Sequence, residues 1–150
     1  MSTSGWRAPA VVACHCIACQ RRTGSPFGVA AYYPDAQVRV TGHSIRFDRA
    51  TETGGVFENH FCPDCGATVF FRGAKNAGVT GVALGAFVDR HEMAPVRSVW
   101  EQSRHPWVTI PTAQQTFAQG RTWLGSPHGR LRIGRPSGLA RGADAAHRPT

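Results

Sequence analysis

The sequence predicts a single, mainly β domain of antiparallel strands followed by a loose basic tail. Three observations carry this expectation. Short runs rich in β-branched and aromatic residues recur at a spacing of roughly 8–12 residues, the rhythm of all-β chains. Gly, Pro, Asn and Asp separate them, and no window holds a sustained apolar stripe of helical period. At 150 residues, 41% apolar and 9% aromatic, the chain suits one globular domain with an ordinary core.

The elements follow in order. VVACHC (11–16) reads as extended chain entering a turn, and RRTGS (21–25) can hold a helical turn. VAAYY (29–33), QVRV (37–40) and SIRFD (44–48) read as strands, punctuated by Pro34-Asp35 and Thr41-Gly42-His43. VFENHF (56–61), ATVFFR (67–72) and VTGVALGAF (79–87) continue the series. The stretch after Pro111 can hold another helical turn. The domain is drawn at 1–125. Residues 126–150, rich in Gly, Pro, Ala and Arg, bury too little apolar surface to offset their ordering entropy and are expected to be disordered.

Charge narrows the function classes. Of the net +8, residues 121–150 supply five charges, with Arg121, Arg130, Arg132, Arg135, Arg141 and Arg148 against Asp144. The folded part is therefore only weakly basic, and the tail reads as a solubilising extension rather than a nucleic-acid interface. No apolar run approaches the ~20 residues needed to span a bilayer. MSTSGWRAPAVVAC lacks the segments of a secretory signal, so a reducing cytoplasmic location is expected. There, clustered cysteines serve as metal ligands rather than disulfides.

The cysteines are Cys14, Cys16, Cys19, Cys62 and Cys65. Alternate side chains of an extended chain share a face, so Cys14 and Cys16 point one way and His15 the other. Cys16 and Cys19 form a C-x2-C step that folds two sulfurs around one ion. Cys62 and Cys65 repeat the step in FCPDCG, where Pro63 stiffens the turn and Gly66 permits the positive φ that closes a knuckle. Two such steps are a zinc signal. Spacing alone leaves two arrangements open. Cys16, Cys19, Cys62 and Cys65 can close one structural four-thiolate site, or Cys14, Cys16 and Cys19 can form a three-thiolate site that takes an exchangeable fourth ligand. No phosphate loop, paired-carboxylate motif or Ser-His-Asp constellation stands out.

CHCIACQRRTGSPFGVAAYYP, FCPDCGATVFF, GVALGAFVD and SRHPWV together resemble the glutathione-dependent formaldehyde-activating (GFA, or centromere protein V) family over about Val11 to Ile110. The resemblance implies a β-tent zinc fold of small antiparallel sheets with two zinc sites. Cys14, Cys16 and Cys19 take the three-thiolate role, and Cys62 and Cys65 match half of a structural four-thiolate site. The other half, in the family, is a C-x-C pair in an N-terminal hairpin. Thirteen residues precede Cys14 here and none is cysteine, so the natural start is expected further upstream and the structural site incomplete. His60 is a candidate for one of its missing ligands.

The implied activity is carbon–sulfur chemistry that joins glutathione to formaldehyde as S-hydroxymethylglutathione, or the reverse cleavage, with Cys14, Cys16 and Cys19 as its catalytic residues. Metal coordination converts a thiol of ordinary pKa near 8.5 into a thiolate, and three thiolates make zinc a better thiol carrier than a water activator. Arg21 and Arg22 suit glutathione carboxylates, and Gly24-Ser25 offers a turn whose N–H groups can face an anion, with Ser25 a substrate contact. His105, Pro106 and Trp107 are candidates for a pocket wall. The alternative reading is a non-catalytic, zinc-stabilised binding module of the same family.

Overall fold

A computed structural model describes residues 10–51, 54–88 and 93–120. The predicted basic tail lies outside the described residues.

Eight strands form one hydrogen-bonded sheet: β1 (Ala10–Cys14), β2 (Gly28–Pro34), β3 (Ile45–Ala50), β4 (Val56–Phe61), β5 (Thr68–Gly73), β6 (Val79–Ala83), β7 (Arg97–Val99) and β8 (Gln115–Phe117). Their order is β3-β4-β5-β6-β2-β1-β7-β8. The mainly β expectation is met. The ladder adds what periodicity does not specify: pairing runs unbroken across the sheet, and β1–β7 and β7–β8 are parallel while the other pairs are antiparallel. Among the described residues there is one α-helix, α1 (Ile17–Thr23), between β1 and β2.

Three sequence readings need correction. Residues 37–40 are not a strand. Asp35–Gln37 turn as a 3-10 segment closed by the Val38 N–H on the Asp35 carbonyl. The Asp35 N–H bonds the Gly78 carbonyl, and its carboxylate accepts the Thr80 hydroxyl at 2.6 Å. These bonds anchor Asp35 to β6 and its turn, and Val40 is left exposed with no partner strand among the described residues. The second correction concerns 79–87: pairing ends at Ala83, and Leu84–Ala86 turn as another 3-10 segment. The single helical turn expected at 21–25 is in turn a seven-residue helix that begins earlier, at Ile17.

The core is built from small residues where strands crowd and aromatics where they do not. Val11, Ala13, Ala30, Ala31, Phe70, Phe71 and Val108 are buried. Register assigns the two faces. Cys14 pairs with Gly28, Val12 with Ala30 and Ala10 with Tyr32, and the last row continues through Gly81 to Phe71. Directly opposed residues share a face, so Cys14, Tyr32 and Phe71 look out on the same side. Gly81 is required there: a Cβ on it would lie 2.3 Å from the Phe71 ring.

A candidate three-thiolate metal centre

Cys14 is the last residue of β1, and the chain stays extended through Cys16 (φ −63°, ψ 149°) before winding into α1. Cys16 is the helix N-cap. Its sulfur accepts the Cys19 N–H at 3.3 Å, the position that a serine or aspartate oxygen usually fills. Helix geometry then returns Cys19 to the side on which Cys14 and Cys16 already point. The three sulfurs lie within 4.8 Å of one another. Thiolates held about 2.3 Å from a zinc ion in a tetrahedron stand roughly 3.8 Å apart, so the donor set fits that ion.

Electrostatics says the same. Thiol donation from Cys14 and Cys19, with the N–H groups of Cys19 and Ala18, holds Cys16 far below the usual thiol range. Donation to Cys16 pushes Cys14 far above it, and burial adds to the rise. The opposite shifts mark three coupled sulfurs, whose protons a divalent cation would displace on binding.

His15 points to the opposite side, as alternation requires, and is fully buried. Its N–H bonds the Val99 carbonyl at 3.0 Å, and its carbonyl accepts the Gln20 side-chain amide at 2.8 Å. Its Nε2 lies 3.0 Å from the Ser98 hydroxyl. Ser98 donates to the Glu101 carboxylate, whose other oxygen accepts Arg104 Nε at 2.5 Å. The hydroxyl's one proton goes to Glu101, so Nε2 carries the proton of the His15–Ser98 bond. This order, carboxylate to hydroxyl to imidazole, leaves a buried serine engaged by its carboxylate and unlike a nucleophile. The network fixes the peptide between two cysteines. Ser98→Ala should lower stability by about 1–3 kcal/mol in urea unfolding, because Glu101 and Nε2 lose their shared partner.

The three residues proposed for substrate separate. Arg21 and Ser25 line an open groove of about 500 Å³ along the outer side of α1, with Ile17, Gln20, His105 and Trp107. Ile17 and Trp107 are 51% and 71% exposed, so the groove presents apolar surface beside a cation. Gln20 Oε1 meets His105 Nε2 at 3.0 Å and joins the groove to the peptide between Cys14 and Cys16. Arg22 turns the other way, against the sheet, with its Cζ 4.6 Å from the centre of the Phe71 ring.

A sequence model of the family described as glutathione-dependent formaldehyde-activating enzyme (GFA) matches residues 1–103. The chain belongs to the GFA family. No curated protein matches it. The GFA match spans all five cysteines and both helix arginines, while His105 and Trp107 lie just past its end.

Within the GFA match, the second cysteine pair forms the expected knuckle. Gly66 has φ +71°, its N–H returns to the Cys62 carbonyl, and the Cys62 N–H bonds the Ala67 carbonyl. N–H groups of Cys65 and Asp64 hold the Cys62 thiol below its ordinary range. Cys65 is exposed. His60 does not join the pair: Cys14, Cys16 and Cys19 are the only group of three potential ligands among the described residues. Its ring is stacked on Phe70 at 4.1 Å, with Nδ1 3.0 Å from the Ser44 hydroxyl.

Sequence reasoning missed Gly28, Tyr32, Phe71 and Ser98. The phenol of Tyr32 is raised well above its usual range, by burial first and then by the neighbouring cysteines. No motif marks these residues, since strand register sets Gly28 opposite Cys14 and Ser98 opposite Ala13, where it meets His15.

Proposed function

We propose that this GFA-family chain is a zinc-dependent enzyme of carbon–sulfur lyase type that forms or cleaves the adduct of glutathione and formaldehyde. The observation that carries the reading is the set of three sulfurs within 4.8 Å at the junction of β1 and α1. Cys14, Cys16 and Cys19 would hold the zinc ion, whose charge would favour the thiolate form of a glutathione sulfur. In the forward direction the sulfur's electron pair forms the S–C bond, the carbonyl π pair moves to oxygen, and that oxygen takes the proton lost by the thiol. The chain's residues position the reactants. Arg21 and Ser25 in the groove are assigned to a glutathione carboxylate, with Ile17 and Trp107 covering the peptide's apolar atoms. Gln20 and His15 hold the thiol-bearing backbone rigid while ligand exchanges.

No helix among the described residues is long and apolar enough to cross a membrane. A reducing cytoplasm, where exposed Cys65 and the clustered thiols stay reduced, is the compartment this chemistry suits. Nucleic acid is not among the proposed partners.

The test is the rate of S-hydroxymethylglutathione formation by zinc-loaded protein against the uncatalysed reaction. A rate above background supports the enzyme; a background rate without glutathione binding assigns the chain to non-catalytic zinc modules. Arg21→Ala should raise KM for glutathione about tenfold, the cost of one charged hydrogen bond. In steady-state assays kcat should stay within about twofold, because uniform binding is what is lost.

A further inference from the structure

Arg22 lies in a seat that the fold builds for it. Its guanidinium lies over Phe71, and Phe71 takes that place because Gly81 carries no Cβ. Its Nη2 sits over Gly28, the register partner of Cys14; a Cβ there would stand 3.0 Å from Nη2 and 3.5 Å from Cys19 Cβ. Tyr32 meets the Phe71 ring edge-on at 5.9 Å. Arg22 Nε and Nη1 are buried and have no hydrogen-bond acceptor among the described residues. A permanently charged guanidinium with two buried nitrogens that lack an acceptor is costly unless an opposite charge lies beside it. The groups beside it able to carry one are Cys19 of the three-cysteine cluster, whose Cβ flanks the same Gly28 position, and Tyr32, whose phenol burial keeps protonated.

We propose that Arg22 is the counter-charge of the Cys14/Cys16/Cys19 site, favouring an anionic sulfur over a neutral donor as the fourth ligand. The inference rests on the functional reading above and deepens it by separating the two arginines: Arg21 meets the thiol's distant carboxylate, Arg22 the charge at sulfur. A divalent ion with three thiolates carries −1, and a fourth thiolate brings it to −2 as the incoming thiol gives its proton to water. A fixed +1 against this charge makes the last step favourable, whereas a neutral ligand gains little from it.

The experiment uses the full chain loaded with Co²⁺, whose sulfur-to-metal charge-transfer absorption reports the number of bound thiolates. It is titrated with 2-mercaptoethanol, glutathione and imidazole. In Arg22→Met, affinity for both thiols should fall at least about tenfold, the scale on which a close opposite charge shifts an ionisation, while imidazole changes little. Arg22→Lys keeps the charge and should retain most of the thiol affinity; a fall to the Arg22→Met level overturns the proposal. Weakening of glutathione alone overturns it in favour of a carboxylate contact. Equal weakening of all three ligands overturns it in favour of a structural role, and unchanged affinities overturn it outright. If the wild-type protein binds neither thiol, the functional reading itself fails and this inference falls with it.

Discussion

Cys16→Ser should abolish metal retention and reduce S-hydroxymethylglutathione formation to the uncatalysed rate. Cys16 is the hub of the cluster: its sulfur accepts the Cys19 N–H and lies within 4.8 Å of the other two sulfurs. Serine is among the best N-cap residues, so the variant keeps its hydroxyl on the same N–H and α1 stays capped. The substitution therefore separates ligation from folding. Metal affinity should fall by more than about a hundredfold, beyond the loss expected from an outer-shell partner. Metal content after gel filtration and far-ultraviolet circular dichroism check both halves: metal gone, helix and sheet retained. A variant that holds metal as tightly as wild type would remove Cys16 from the site.

The second large effect falls on stability. Gly81→Ala places a methyl group where the Phe71 ring stands, 2.3 Å away, and β6 is held between β5 and β2 and cannot withdraw. The ring must leave its position, at a cost of at least about 1–3 kcal/mol for overpacking a core. Urea or thermal unfolding measures that cost. The displacement also reaches the thiols, because Arg22 lies on this ring and Tyr32 meets its edge. Gly81→Ala should consequently reproduce part of the Arg22→Met weakening of thiol binding, a link between sheet packing and ligand choice that spectra of the cobalt-loaded protein would read.

What was legible in the sequence was local. Three cysteines in six positions, the alternation that sends His15 away from them and the glycine that closes the Cys62–Cys65 knuckle all depend on neighbours within a few residues. Most strands were legible for the same reason: β2 through β6 keep runs of β-branched and aromatic residues between turn formers. QVRV misled because its pattern is right and its environment is not; Asp35 is anchored to β6 and its turn, and among the described residues no strand pairs with residues 38–40. The start of α1 was hidden by an unusual cap, since cysteine is not the residue one seeks before a helix. β7 and β8, at three residues each, are too short to show a period. Arg21 and Arg22 look alike as adjacent letters, yet successive helix positions point about 100° apart, and one faces a groove while the other faces the sheet.

The contrast between the thiols and their support has a consequence for the order of folding. The ligands span six residues and need only one tight turn to meet, whereas the hydrogen bond that steadies them joins His15 to Ser98, 83 positions along the chain. Closing a short loop takes ~10–100 ns, while pairing of distant strands, parallel ones above all, is slow. A growing chain therefore presents its complete donor set long before β7 exists to brace it. An ion captured at that stage would nucleate the first helical turn and set the register from which β1 and β2 pair, so that metal supply would govern the yield of folded protein.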